Sequence, residues 1–307
     1  MVTFIGRRLL AAVVTLLVAL TLAFALGRLS GNPVYNILGP FAQHSQVVAM
    51  THQLGLDKPL LSQYGTYMSD TLRGHLGDSL QYYEPNLTLI KSRLPDSLEL
   101  LAAGMVLAVI GGVALGVLAA VHEGTAWDRI ASTIALLGQS VPVFWLGLML
   151  VLIFAVQLRW FPAGQTGGIS HLVLPAITLS LFPLAQIARL TRASMAEVLH
   201  EPYIDAARAR GLTRARVVGR HALKNAAIPV VTLTGIQAGT LLSGAVAVEF
   251  VFAWPGIGTA AINAVQFHDY TLIQALVILG AVAFIVVNFI VDIVCAVVDP
   301  RVREVAA

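Results

Sequence analysis

Residues 98–121 read LELLAAGMVLAVIGGVALGVLAAV, with Glu99 the one charged side chain. A helix rises 1.5 Å per residue, so about 20 apolar residues cross the roughly 30 Å of bilayer hydrocarbon. This run is long enough to span, and five more stretches match it: 9–26, 130–158, 172–190, 228–248 and 272–298. The fold expected is therefore an all-α membrane protein with six transmembrane helices. Pro142 lies within the third stretch, and Pro175 and Pro183 within the fourth. Proline is tolerated inside a span where neighbouring helices satisfy the freed backbone groups, so the helices should be bundled. Composition agrees: 57% of the 307 residues are apolar and 11% charged, against about 25% charged in soluble domains. With a mean hydropathy of +0.81, too few charges exist to cover a soluble surface, and disorder is ruled out.

Lysine and arginine set the expected orientation. With the N-terminus inside, the inner segments hold Arg7, Arg8, Arg129, Arg189, Arg192, Arg208, Arg210, Arg214, Arg216, Arg220, Lys224, Arg301 and Arg303, thirteen of the 19 basic residues. Five of the outer six, Arg28, Lys58, Arg73, Lys91 and Arg93, lie in one long loop, leaving Arg159 alone in the short ones. Both termini are then cytoplasmic. The rival reading of the first stretch is a cleaved secretory signal ending at Ala23-Phe24-Ala25, although its apolar run is long for that. The net charge of +3 is what basic inner loops of a membrane protein produce, and no nucleic-acid partner is expected.

The outer segment, 28–97, is too long to be structureless. Pro59 suits the first turn of a helix, and Leu61, Tyr64, Met68 and Leu72 recur at helical spacing. A small helical cap is expected, serving either as a lid or as a docking surface for an external partner.

Within the spans, small residues recur every fourth position. Gly104, Ala108, Gly112, Gly116 and Ala120 form one stripe, and Gly235, Gly239 and Ser243 another. Both predict close helix packing. On a second face of the fifth span, Thr234, Gln237, Thr240 and Gly244 fall together. Such a row needs hydrogen bonds to other helices or a wet passage, and Gln139 and Ser140, before Pro142, pose the same choice. These six are the candidate translocation-path residues. Asp292, four residues after Asn288, is expected in an interfacial or hydrogen-bonded role, and no chain of carboxylates and histidines crosses the bilayer to carry protons.

Several chemistries are missing. The only cysteine is Cys295, which excludes an intrachain disulfide and a cysteine zinc site. His122-Glu123 lacks the second histidine of a zinc-protease motif, and Gly138-Gln139-Ser140-Val141 is not a nucleophile elbow. A phosphate-cradling loop needs glycine directly before its lysine, whereas Lys58, Lys91 and Lys224 follow Asp57, Ile90 and Leu223. No catalytic residue and no metal site is expected, and any ATP must be bound by another subunit.

Between the fourth and fifth spans the chain reads EPYIDAARARGLTRARVVGRHALKNAAIP from Glu201. Gly211 is placed to end a short helix in the left-handed conformation, and Thr213 to cap a second. Val217, Val218, Ala222 and Leu223 alternate there with Arg214, Arg216, Arg220 and Lys224. Two short amphipathic helices joined by a glycine turn could rest on anionic lipid or insert as a knob into a protein cleft.

Asp205-Ala206-Ala207-x-x-x-Gly211 resembles the Glu-Ala-Ala…Gly loop of ABC importer permeases, with aspartate for glutamate. His221-Ala222-Leu223-Lys224 replaces the usual apolar-proline ending, a variant similar to the dipeptide/oligopeptide/nickel branch. Arg73-Gly74-His75-Leu76-Gly77-Asp78-Ser79-Leu80, Ser140-Val141-Pro142-Val143-Phe144-Trp145, Phe252-Ala253-Trp254-Pro255-Gly256 and Asp299-Pro300-Arg301 agree with that branch. Asn32 departs from it, standing where an acid is usual. The resemblance implies a type I ABC importer permease fold in the bacterial inner membrane, divided into 1–94 (first span and outer cap), 95–298 (core with five spans and the coupling segment 201–226) and 299–307 (tail). It implies a non-catalytic subunit of a peptide importer that binds no cofactor. Its partners would be a second homologous permease, two ATPase subunits that hold ATP and Mg, and an extracytoplasmic peptide-binding protein. Tyr203, Asp205, Ala206, Ala207, Gly211, Arg216, Arg220, His221 and Lys224 would couple it to the ATPases. Nickel chelates or haem are alternative cargoes on the same architecture. A stand-alone channel or secondary transporter is the alternative of another class, and it leaves the Asp205–Gly211 loop unexplained.

Overall fold

The computed structural model describes residues 2–29, 34, 38, 42–53 and 55–298. Asn32, Asp299-Pro300-Arg301 and the rest of the tail lie outside them, as does the side chain of Asp292. In chain order the helices are α1 (Val2–Leu29), α2 (His44–Gln53), α3 (Leu60–Leu72), α4 (Asn86–Val121), α5 (Ala126–Ser140), α6 (Val143–Leu150), α7 (Ile169–Leu199), α8 (Pro202–Ala209), the single turn α9 (Arg214–Arg216), α10 (Leu223–Val251), α11 (Ile257–Gln266) and α12 (Tyr270–Val298). Five helices are long and apolar enough to cross a membrane, and a sixth span results if α5 and the helical segment after it are taken as one.

That third stretch is not a straight helix. It bends by 108° at Val141-Pro142. The residue before a proline is driven from the helical region, and Val141 is extended at φ −86° and ψ 125°. Pro142 then opens α6, which passes into a π-helical segment, Val151–Gln157. The second stretch also differs from its expected bounds. α4 begins at Asn86 and carries Pro95 inside it, because helix continues beyond the hydrocarbon into residues whose polarity hides them from a hydropathy reading.

The chain forms two compact units. One joins 2–95 with 256–286, a partnership no local sequence signal announces. Its core gathers Leu89, Ile90, Ala260, Ala264, Leu272, Ala275 and Leu276. Phe24 of α1 meets the rings of Tyr64 and Tyr67 at 5.3 and 5.5 Å, and the Thr21 and Tyr64 hydroxyls lie 2.8 Å apart. The expected α3 helix is present with Pro59 at its N-cap, but only the middle of the apolar stripe, Tyr64 and Met68, is half-buried. Leu61 and Leu72 are 83% and 74% exposed. Gln63 is buried instead, its Nε2 donating to the carbonyls of Leu56 and Lys58. Asp269 is fully buried before α12. Its Oδ1 accepts from the Leu272 N–H at 3.1 Å and the Thr271 hydroxyl at 2.9 Å, which caps the helix. Its Oδ2 accepts from the Ser79 hydroxyl at 2.5 Å and the Gln81 N–H at 3.1 Å, which fastens the Gly74-to-Tyr82 loop.

The other unit comprises 96–255 together with 287 onward. Leu100, Leu174, Leu179, Leu241, Val248, Phe252 and Trp254 form its largest apolar cluster. The small-residue stripe of α4 packs on α7. A Cβ on Gly112 would lie 2.8 Å from the Leu184 carbonyl oxygen, and one on Gly116 2.6 Å from that of Ala188. The α10 stripe is only partly used. Gly235 abuts Val291, while nothing lies within 4 Å of a Cβ at Gly239.

Candidate coupling segment and translocation face

Helix α8 starts with Pro202 at a position where its missing N–H costs nothing. It ends at Arg210, and Gly211 follows at φ +76°. The Gly211 N–H donates to the Arg208 carbonyl at 2.9 Å, and the Leu212 N–H to the Ala207 carbonyl at 3.4 Å. This bond pair closes a helix through a left-handed residue, which glycine enters without steric cost. Thr213 occupies the N-cap of α9 in extended conformation, but its hydroxyl makes no capping bond. Only its carbonyl takes part, accepting from the N–H groups of Arg216 and Val217.

The second amphipathic helix is not a separate element. α9, a π-helical turn over Val217–Ala222 and α10 form one helix, Arg214–Val251, of 38 residues. No extended break interrupts them, and Pro229 sits inside α10. The segment after Gly211 is thus the stem of the fifth span.

One face of the segment is anchored. Ile204, Ala207, Val217, Ala222 and Ala226 are buried with Ala120 of α4 and Met195 of α7. Arg214 Nη2 donates to the Val121 carbonyl at 2.7 Å, closing the end of α4, and Asn225 Nδ2 donates to the Tyr203 hydroxyl at 2.7 Å. The opposite face is free. Asp205, Ala206, Arg208 and Arg210 are exposed, as are Arg216, Arg220 and Lys224, spaced by four on the stem, while His221 is half-buried. Arg208 pairs with Asp205 at 2.9 Å, and an exposed helix pair of this kind contributes little. The arrangement is a knob, with apolar residues fixing it to three helices and a mixed-charge surface presented outward.

The translocation-path candidates do not converge. Gln237 is 4% exposed, and its Oε1 accepts from the Thr240 hydroxyl at 2.9 Å. The Thr234 hydroxyl bonds back to the Val230 carbonyl at 2.8 Å, and Gly244 lies against Leu179. These bonds stay within α10. Of the candidates on that helix only Thr240 is on its open surface, together with Thr232, Ile236 and Ser243. Gln139 lines a cleft between α4, α5 and α7, its Nε2 buried without a partner, and Ser140 is exposed and bonded to the Leu136 carbonyl. Gln237→Leu therefore removes an intrahelical acceptor from a buried site. The expected outcome is a shift in thermal stability equivalent to less than about 1 kcal/mol, with transport retained in an uptake assay. A large loss of transport by an intact complex would instead place Gln237 on the path.

Three acids escaped the sequence reading. Asp128 is buried in the first turn of α5, where its carboxylate accepts from Arg192 Nε at 2.6 Å and Nη2 at 2.9 Å. Glu249, 1% exposed, accepts from the Ser97 hydroxyl at 2.6 Å, and the adjacent turn is tied by Trp254 Nε1 donating to the Asp96 carbonyl at 2.8 Å. Asp269 is the third. An acid within the apolar run Val246-Ala247-Val248-Glu249-Phe250 was the available signal. Among the described residues, no group of three or more His, Cys, Asp or Glu side chains is placed to hold a metal ion.

Residues 112–304 match the family described as binding-protein-dependent transport system inner membrane component. Residues 1–100 match the N-terminal region of such membrane components. The di/tripeptide transport system permease protein DppB of Pseudomonas aeruginosa (strain UCBPP-PA14) is 42% identical, with 99% of each chain covered. The glutathione transport system permease protein GsiC of Escherichia coli (strain K12) is 40% identical at the same coverage. Among solved structures, the inward-facing MetNI methionine ABC transporter superposes with a TM-score of 0.59 at 20% identity, covering 69% of this chain and 97% of that one. An amino acid ABC transporter gives 0.53 at 17% identity, covering 68% and 93%. Likeness at such identities is one of fold.

Proposed function

Because the chain belongs to the binding-protein-dependent transport system inner membrane components, the permease subunits of ABC importers, we propose that its cargo is a di- or oligopeptide and that it works by tilting α10. The cargo reading rests on two full-length relatives named for di/tripeptide and glutathione transport. A second permease completes the pathway, two ATPase subunits dock on the cytoplasmic side, and an extracytoplasmic binding protein delivers peptide to the face formed by the outer helices. ATP and Mg reside in the ATPases, and this chain performs no chemistry.

The observation that carries the mechanism is the continuity of the knob with the fifth span. ATPase closure moves α8 and the Arg214–Ala222 stem as one body, since Ile204 and Ala207 pack against Val217, Ala222 and Ala226. The stem is helical without interruption into α10, so displacement at Gly211 becomes rotation of the membrane-spanning part. α4 and α7 share the same apolar cluster and are drawn along. The assembled transporter in vesicles should take up a dipeptide only when ATP, the ATPase subunits and the binding protein are all supplied. Peptide flux through this chain alone would make it a channel or secondary transporter, and ATP-dependent uptake of a metal chelate but no peptide would reassign the cargo.

A further inference from the structure

We propose that the cleft between α4, α5 and α7 binds an anionic phospholipid, with the phosphate at Arg189 and an acyl chain along the α5 alanines. The cleft has a volume of about 270 Å³, and Leu115, Ala119, Ala135, Leu136, Gln139 and Arg189 are among the residues lining it. Two of its walls, α4 and α7, are apolar enough to cross a membrane, and α5 is so together with the helical segment after it. Beside it α5 exposes Ile130, Ile134 and Leu137, so the slot opens onto a surface suited to lipid tails and not to a peptide backbone.

Its charge is concentrated near one end. Arg192 is committed to Asp128 by two hydrogen bonds. Arg189, one turn away on α7, is exposed and makes no hydrogen bond or ion pair among the described residues. Trp127, next to Asp128, is 58% exposed, and tryptophan concentrates at the headgroup level of a bilayer. The unpaired guanidinium therefore lies about a turn below that level, within snorkelling reach of a phosphate. Basic pockets between helices on the cytoplasmic side suit anionic headgroups. That placement rests on the permease reading, which puts the α7–α8 junction in the cytoplasm. The alanines at 119, 131, 135 and 188 keep the slot shallow and smooth, and Gln139 marks its deep end.

The test uses the complete transporter reconstituted in phosphatidylcholine vesicles containing a minor fraction of phosphatidylglycerol. After mild detergent extraction, native mass spectrometry counts the lipids retained. Phosphatidylglycerol should be retained over phosphatidylcholine, and Arg189→Gln should lower that preference about fivefold, the worth of one basic side chain near an anionic surface. Arg189→Lys should keep most of it. Equal retention of the two lipids by the unmodified transporter overturns the proposal. So does an unchanged preference in Arg189→Gln, or displacement of the lipid by millimolar inorganic phosphate, which would point to a free-anion site. Uptake measured on the same vesicles separates the two levels: active transport without lipid preference removes the lipid site and leaves the permease function standing.

Discussion

Gly211→Val yields a chain that inserts and folds but does not transport, and that copurifies poorly with its ATPases. Gly211 lies at φ +76°, a region that costs other residues about 1–2 kcal/mol and a β-branched one more. Nothing in this chain lies within 4 Å of a Cβ there, so the effect is one of backbone conformation and not of crowding. To escape the strain, the chain must give up the paired bonds to the Arg208 and Ala207 carbonyls. That swings α8 away from the stem of α10, while the α4–α7 packing stays intact. Gly211→Asn should restore much of the function, since asparagine tolerates the left-handed region. Gly219→Ala is the control: that glycine is exposed, helical and without neighbours within 4 Å, and its replacement should be neutral. If Gly211→Val binds ATPase and transports normally, the coupling assignment is wrong.

Gly116→Val should destabilise the chain itself. Its Cβ would stand 2.5 Å from the Thr191 Cβ and 2.6 Å from the Ala188 carbonyl oxygen. Backbone cannot yield as a long side chain does, so α4 and α7 must separate. Overpacking of this kind costs about 1–3 kcal/mol. The loss should spread to the knob, because Ala120 and Met195, beside this contact, form part of its apolar anchor. Thermal unfolding in detergent should show a clear drop for Gly116→Val and almost none for Gly239→Val, where a Cβ meets nothing within 4 Å. Equal shifts would mean that helix propensity, not packing, governs both sites.

The contrast between those glycines shows what sequence spacing reveals. Both stripes carry the same spacing, yet whether a partner occupies the groove depends on helices far along the chain. The spans were legible because hydrocarbon thickness fixes their length, and Gly211 because a left-handed helix ending has a specific residue preference. Val141-Pro142 announced a disturbance, but not that the helix would turn by 108°. The stem of α10 was hidden by its own charges. Arg214, Arg216, Arg220 and Lys224 lower the hydropathy of a segment that is nonetheless continuous helix. Gln237 reads as a polar face, but burial and a bond from Thr240 remove it from open surface. Asp128, Glu249 and Asp269 find partners 64, 152 and 190 residues away in sequence, so of the three only Glu249, set in an apolar run, carries a local mark.

The most direct test of the account is cross-linking at two adjacent positions, with the single native cysteine, Cys295, replaced by serine. Ala206 is exposed on the outer face of α8, whereas Ala207 is 8% exposed and packed against the stem. In the assembled transporter, Ala206→Cys should capture an ATPase subunit through a short bifunctional reagent, with a yield that changes when ATP is added. Ala207→Cys should capture none. Capture from both positions alike, or labelling of Ala206→Cys by a lipid-borne reagent with no ATPase captured, would contradict the assignment of this segment as the coupling element.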